Sequence, residues 1–130
     1  MLHPSQFSIN EAWVAFQLNE APIQIGSGEP VNCVALMDAA SCFVLMTILV
    51  PAGEPEPSEA EAKKMFNQAY SHKQQMPATL FIPAGYAGTC LEHEAERHNA
   101  TVIRIPEDQL AVFIGEARQA FAERFGGYKH

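Results

Sequence analysis

Val31-Asn32-Cys33-Val34-Ala35-Leu36-Met37-Asp38-Ala39-Ala40-Ser41-Cys42-Phe43-Val44-Leu45-Met46-Thr47-Ile48-Leu49-Val50 is the stretch on which the fold turns. Two apolar runs rich in Val, Leu and Ile flank a short break of small residues, the pattern of two strands joined by a turn. It predicts an antiparallel hairpin over residues 31–50, with the Asp38 carboxylate at the carboxyl end of its first strand. Open α/β sheets place ligands and metals at such strand ends. Asp38 therefore has two readings, metal ligand or turn cap. The cap is preferred, because Asp before a tight turn accepts hydrogen bonds from the backbone that follows it.

Working outward, four helices are predicted by their starts. Ser8-Ile9-Asn10-Glu11 fits a capping box and opens a helix over about 9–19 that buries Ile9, Trp13 and Phe16. Ser58-Glu59-Ala60-Glu61 repeats the box and opens a helix over 59–75, burying Ala62, Met65, Phe66, Ala69 and Tyr70 at helical spacing. Thr89-Cys90-Leu91-Glu92 opens a short third helix, 89–98, with Ala87, Leu91 and Ala95 on one side. Pro106-Glu107-Asp108 opens the last, 107–125, which carries Leu110, Phe113, Ile114, Ala117, Phe121 and Phe125 and ends at Gly126-Gly127.

Two apolar strands lie between helices, 79–82 and 101–105, and Ile23-Gln24-Ile25 is a candidate edge strand. Strands alternating with helices imply right-handed crossovers and parallel pairing, while the hairpin makes the sheet mixed. The expectation is a single α/β domain over 1–130. Residues 1–21 form an N-terminal helical extension, and 79–82 and 101–105 run parallel to the first hairpin strand.

This element order, with Asp38 on the opening hairpin, resembles the ribonuclease H-like fold over roughly residues 22–126. Nuclease and transposase members of that fold hold two divalent metals with carboxylates. The resemblance implies Asp38 as the first ligand and Glu107 or Asp108 near the closing helix, with Glu59 or Glu61 as a looser candidate in the first crossover helix. The carboxylate expected after the first parallel strand is missing, because the chain there reads Phe81-Ile82-Pro83-Ala84-Gly85-Tyr86. Two-metal chemistry needs several acids around ions about 3.5–4 Å apart. The resemblance therefore implies a degenerate, non-catalytic relative with no cofactor.

Composition narrows the partners. Of 130 residues 48% are hydrophobic, enough to bury a core, and the formal net charge is -7 with only eight Lys and Arg. Nucleic-acid binders neutralise phosphates with basic stripes, and the Lys63-Lys64 pair is too little for that, so nucleic acid and anionic membranes are not expected partners. No run approaches the roughly 18 apolar residues of a membrane span, and no signal-peptide pattern is present, so a cytoplasmic protein is expected. Three cysteines, at 33, 42 and 90, do not make a disulfide framework.

Three further clusters carry residue types suited to chemistry. The Gly85-Tyr86-Ala87-Gly88-Thr89 loop joins a strand to a helix N-terminus and could take a small anion or nucleotide on its free N–H groups, with Tyr86 stacking on the ligand. It lacks the third glycine of a dinucleotide fingerprint and the Lys of a phosphate loop, so a plain connection is preferred. Cys90, in the first turn of that helix with His93 nearby, has the position of an activated thiol but no orienting residue. His93 and His98 are five apart, the wrong spacing for a zinc helix, while Cys90, Glu94 and His98 share a side; a solvated helix face is preferred.

The sequence thus points to a non-enzymatic binding or assembly module, with a protein partner possible. A homodimer through helix 9–19 anchored by Trp13 and Phe16 is expected. The competing readings are a metal-dependent phosphodiesterase using Asp38 with Glu107 or Asp108, and a small-anion binder at Gly85–Gly88.

Overall fold

The computed structural model describes residues 1–126, the side chain of Phe125 excepted. The strands are β1 (Ala12–Gln17), β2 (Val31–Asp38), β3 (Val44–Pro51), β4 (Thr79–Pro83) and β5 (Thr101–Ile105). The helices are α1 (Glu59–Lys73), α2 (Thr89–Arg97) and α3 (Ala111–Gly126), with 3-10 turns at Pro4–Gln6 and Glu107–Leu110. One mixed five-stranded sheet has the order β3-β2-β1-β4-β5. The end of the last helix at Gly127, the tail 128–130 and the burial of Phe125 lie outside the described residues.

The hairpin forms as expected: β2 and β3 pair antiparallel from Val31↔Pro51 to Met37↔Val44. The predicted helix over 9–19 is instead β1, the central strand. Ser8–Glu11 closes a single turn, with Glu11 N–H donating to the Ser8 carbonyl at 3.1 Å and Ser8 N–H to Glu11 Oε1 at 2.9 Å, but Asn10 within it takes a left-handed conformation (φ 63°), so no helix propagates. Ala12 to Phe16 are then five consecutive apolar residues with no polar face. An amphipathic helix cannot use such a run, whereas a strand covered on both sides requires it. Trp13 and Phe16 have no exposed surface and Ile9 is exposed, so the expected dimer anchors are core residues.

The central strand also corrects the strand directions. β1 runs antiparallel to β2 and parallel to β4, which is parallel to β5. Residues 79–82 and 101–105 therefore run parallel to β3, not to the first hairpin strand. β5 is an edge strand, and its Ile103 is exposed. Ile23 makes only an isolated bridge to Val31.

Alternation along β1 divides the core in two. Trp13 and Ala15 face α1 and α2, packing with Leu36, Leu80, Met65, Phe66 and Leu91. Val14 and Phe16 face α3, packing with Met37, Phe81, Leu110, Phe113 and Ile114. The Ser58–Glu61 capping box forms in full, and α1 buries Ala62, Met65, Phe66 and Ala69, leaving Tyr70 exposed. The Thr89–Glu92 box does not form: Gly88 is the cap residue, in a left-handed conformation, and Glu92 turns to Arg104 instead. Ala87 is exposed, while Leu91 and Ala95 are buried.

Candidate functional site at the carboxyl edge of the central strands

The sheet has two ends with different chemistry. Asp38 sits at the end where β1 and β4 begin, since Trp13 pairs with both Asp38 and Leu80. It is fully buried. Oδ1 accepts from the Asn10 backbone N–H at 2.7 Å, and Oδ2 accepts from the Ser41 backbone N–H at 2.9 Å and hydroxyl at 2.7 Å. Asn10 in turn accepts from Trp13 Nε1 at 2.6 Å and donates to the Gln75 carbonyl at 3.2 Å. Asp38 is thus the cap of its own turn and a tie to the segment before β1. Cys42 lies in that turn with φ 59°.

Glu107 and Asp108 lie at the other end, just after β5, whose Ile105 pairs with Pro83 at the close of β4. The three residue steps from Leu80 to Pro83 span roughly 10 Å of strand. The fold does not bring Asp38 together with Glu107 or Asp108. Glu59 and Glu61 sit in the first turn of α1, where Glu61 caps Ser58.

The carboxyl edge of β1 and β4 is the topological switch of this sheet, where neighbouring connections diverge and leave a crevice. Gln17 and Pro83 end these strands, and with Gly85, Tyr86, Glu107 and Arg118 they line a hollow of about 300 Å³. Arg118, on α3, donates from Nε to the Gln17 carbonyl at 3.0 Å and from Nη2 to Glu107 Oε1 at 3.1 Å. Gln17 itself donates to the Asn19 carbonyl at 2.8 Å. A larger cleft, about 1020 Å³, opens beside it between residues 18–24 and α3. Sequence reading missed both Arg118 and the cleft. The signal available was a lone arginine beside Ala117 in the otherwise apolar stripe of α3.

This edge does not fit a pair of divalent metals. Proline and glutamine stand where acids would have to converge, and a guanidinium already neutralises Glu107. Among the described residues no group of three or more His, Cys, Asp or Glu is arranged to hold a metal ion.

The Gly85–Gly88 loop is held from within. Arg104 donates to the carbonyls of Pro83, Tyr86 and Ala87 and pairs with Glu92 at 3.0 Å. The Arg104 hydrogen bond, against partial burial, holds the Glu92 carboxyl below its ordinary range. The helix N-terminus that could take an anion already has one: Glu56 Oε1 accepts the Cys90 N–H at 2.8 Å. Thr89 occupies the first turn of α2 and is exposed. Burial pushes the Cys90 thiol up, and Glu56 and Glu59 push it further, the reverse of an activated nucleophile. The Tyr86 hydroxyl is buried without a partner among the described residues, and burial raises its pKa. Glu94, expected on a solvated face, is buried and paired with His98 at 3.0 Å, whose ring stacks on Phe66. Cys90 is not part of that pair.

Solved structures share this architecture. The catalytic core domain of BIV integrase matches with a TM-score of 0.58 at 13% identity, over 92% of this chain and 72% of that one. The chain has the ribonuclease H-like fold. The catalytic domain of Mos1 mariner transposase matches with a TM-score of 0.51 at 14% identity, over 85% of this chain and 61% of that one. A chain of the simian T-cell lymphotropic virus intasome in complex with PP2A regulatory subunit B56 gamma gives 0.54 at 13%, over 97% of this chain and 44% of that one. The present chain thus spans less than two thirds of the last two. No family model and no curated protein matches the sequence. Identity this low carries the ribonuclease H-like fold and not an activity. Among the described residues, no helix is long and apolar enough to cross a membrane.

Proposed function

We propose that this ribonuclease H-like domain is a non-enzymatic binding module. The observation that carries the reading is the chemistry of the carboxyl edge. Arg118 joins the end of β1 to Glu107, while Pro83 ends β4, so a cation and an imino acid stand where a nuclease needs convergent acids. The net charge of -7 adds to this, since a polyanionic substrate meets repulsion across the surface. Asp38, the strongest catalytic candidate in the sequence, has both oxygens engaged, Oδ2 by Ser41 of its own turn and Oδ1 by the Asn10 N–H.

The test is nicking of supercoiled plasmid and cleavage of an RNA–DNA hybrid, with manganese or magnesium at millimolar concentration. The reading predicts no cleavage above buffer. Metal-dependent cleavage that is lost on Glu107→Gln together with Asp108→Asn contradicts it.

A further inference from the structure

The cleft beside Arg118, about 1020 Å³, is larger than the hollow next to it, and its walls and rim differ in character. Leu18, Ile23, Ala111 and Ile114 make apolar walls between residues 18–24 and α3. Glu20, Glu107 and Asp108 stand on the rim, with Arg118 as the cation among the lining residues. Arg118 is engaged by Glu107 and the Gln17 carbonyl, whereas Glu20 and Asp108 are exposed and have no ion-pair partner among the described residues. The rim therefore carries uncompensated negative charge over an apolar interior.

The shape is that of a trough. Its α3 wall runs from Ala111 to Ala122, eleven residue steps, roughly 17 Å of helix. An extended chain of five or six residues covers that length at about 3.3 Å each. At about 1020 Å³, the cleft reaches the upper end of the usual range for small-molecule sites, roughly 300–1,000 Å³. Phosphate-bearing ligands are repelled by the same rim that attracts cations.

We propose that the cleft between residues 18–24 and α3 docks a basic, apolar peptide segment of a partner protein, its apolar side chains entering the trough and its Lys or Arg facing Glu20 and Asp108. The proposal rests on the binding-module reading above and names the partner's chemistry.

Gly115 gives a clean test. It lines the cleft, is exposed, and a Cβ built there meets nothing within 4 Å. Gly115→Leu therefore adds an apolar side chain to the trough from a position whose Cβ meets no neighbour, and replacing glycine inside a helix favours folding. Phage-displayed random dodecapeptides are selected on the wild-type chain, and the enriched consensus peptide is titrated by fluorescence anisotropy. The expected consensus combines apolar residues with net positive charge. Its Kd weakens at least tenfold in Gly115→Leu, whose melting temperature is not lowered. It weakens at least tenfold in Glu20→Lys with Asp108→Lys, and it weakens as salt rises.

Several results overturn the proposal: no enrichment, a neutral or acidic consensus, or binding that survives Gly115→Leu. Light scattering in which Gly115→Leu converts a dimer to a monomer also overturns it, because the cleft then belongs to a second copy of the chain. Plasmid nicking is run on the same preparation. A failed peptide selection without nicking removes the docking proposal alone, whereas metal-dependent nicking removes the binding-module reading beneath it.

Discussion

The backbone N–H of Asn10 donates to Oδ1 of Asp38 at 2.7 Å, across 28 residues of sequence. This bond joins the hairpin turn to the segment that enters the central strand, and it gives the buried carboxylate a structural task. The hydrogen bonds from Ser41 complete its shell.

Asp38→Asn should therefore cost more than one local turn bond. The amide keeps one acceptor and turns its NH2 toward donors, either Asn10 N–H or Ser41. Hydrogen bonds to a buried charged group are worth about 1.5–3 kcal/mol, so a loss of about 2 kcal/mol is expected in urea unfolding. A change under about 0.5 kcal/mol would show that the carboxylate does not hold the turn.

Phe16 tests the central strand. It is fully buried between Met37, Phe81 and Phe113 on the α3 face of the sheet. Phe16→Ala should destabilise the isolated chain by about 3–5 kcal/mol, a large share of a small domain's stability. An aromatic on a surface helix would cost little on truncation and would change association instead, which sedimentation equilibrium reads directly.

Much of this fold was legible and one element was not, for a physical reason. The hairpin, α1 and β4 announce themselves through β-branched runs and a complete Ser58–Glu61 box. Residues 12–16 are apolar at every position, so periodicity alone does not separate buried strand from helix, and the Ser8–Glu11 box tipped the reading the wrong way. Placing Asp38 on the wrong end of the site follows from that error. Without β1 the hairpin becomes the opening strand, and its aspartate takes the place of a metal ligand. The absence of an acid near Pro83 was readable from sequence. Arg118 was not, because its partners, Gln17 and Glu107, lie 101 and 11 residues away.

Glu92 sets a pH dependence. Its folded-state pKa lies below the ordinary value through Arg104, so its contribution to stability is present above the usual carboxylate range and is lost as pH falls through the folded value. The stability difference between wild type and Glu92→Gln should stay constant from pH 7 to about 5 and narrow below about pH 4.3. A difference that grows on acidification contradicts the assignment.

Cys90 should alkylate slowly. Burial raises its pKa first and Glu56 adds to it, so the pH midpoint for reaction with iodoacetamide should lie above the roughly 8.5 of a free thiol. Glu56→Gln should lower that midpoint. Peptide mapping by mass spectrometry separates Cys90 from Cys33 and Cys42, and rapid labelling at neutral pH would restore the nucleophile reading.

If the ribonuclease H-like fold here carries binding rather than two-metal cleavage, manganese leaves its thermal unfolding unchanged. A bound ion raises stability by mass action, by about 2.7 kcal/mol at a hundredfold excess over its dissociation constant. The same melting temperature is expected at 0 and 10 mM manganese, to within about 1 °C, in wild type and in Glu107→Gln with Asp108→Asn. A rise of several degrees in wild type that disappears in the double variant would contradict it.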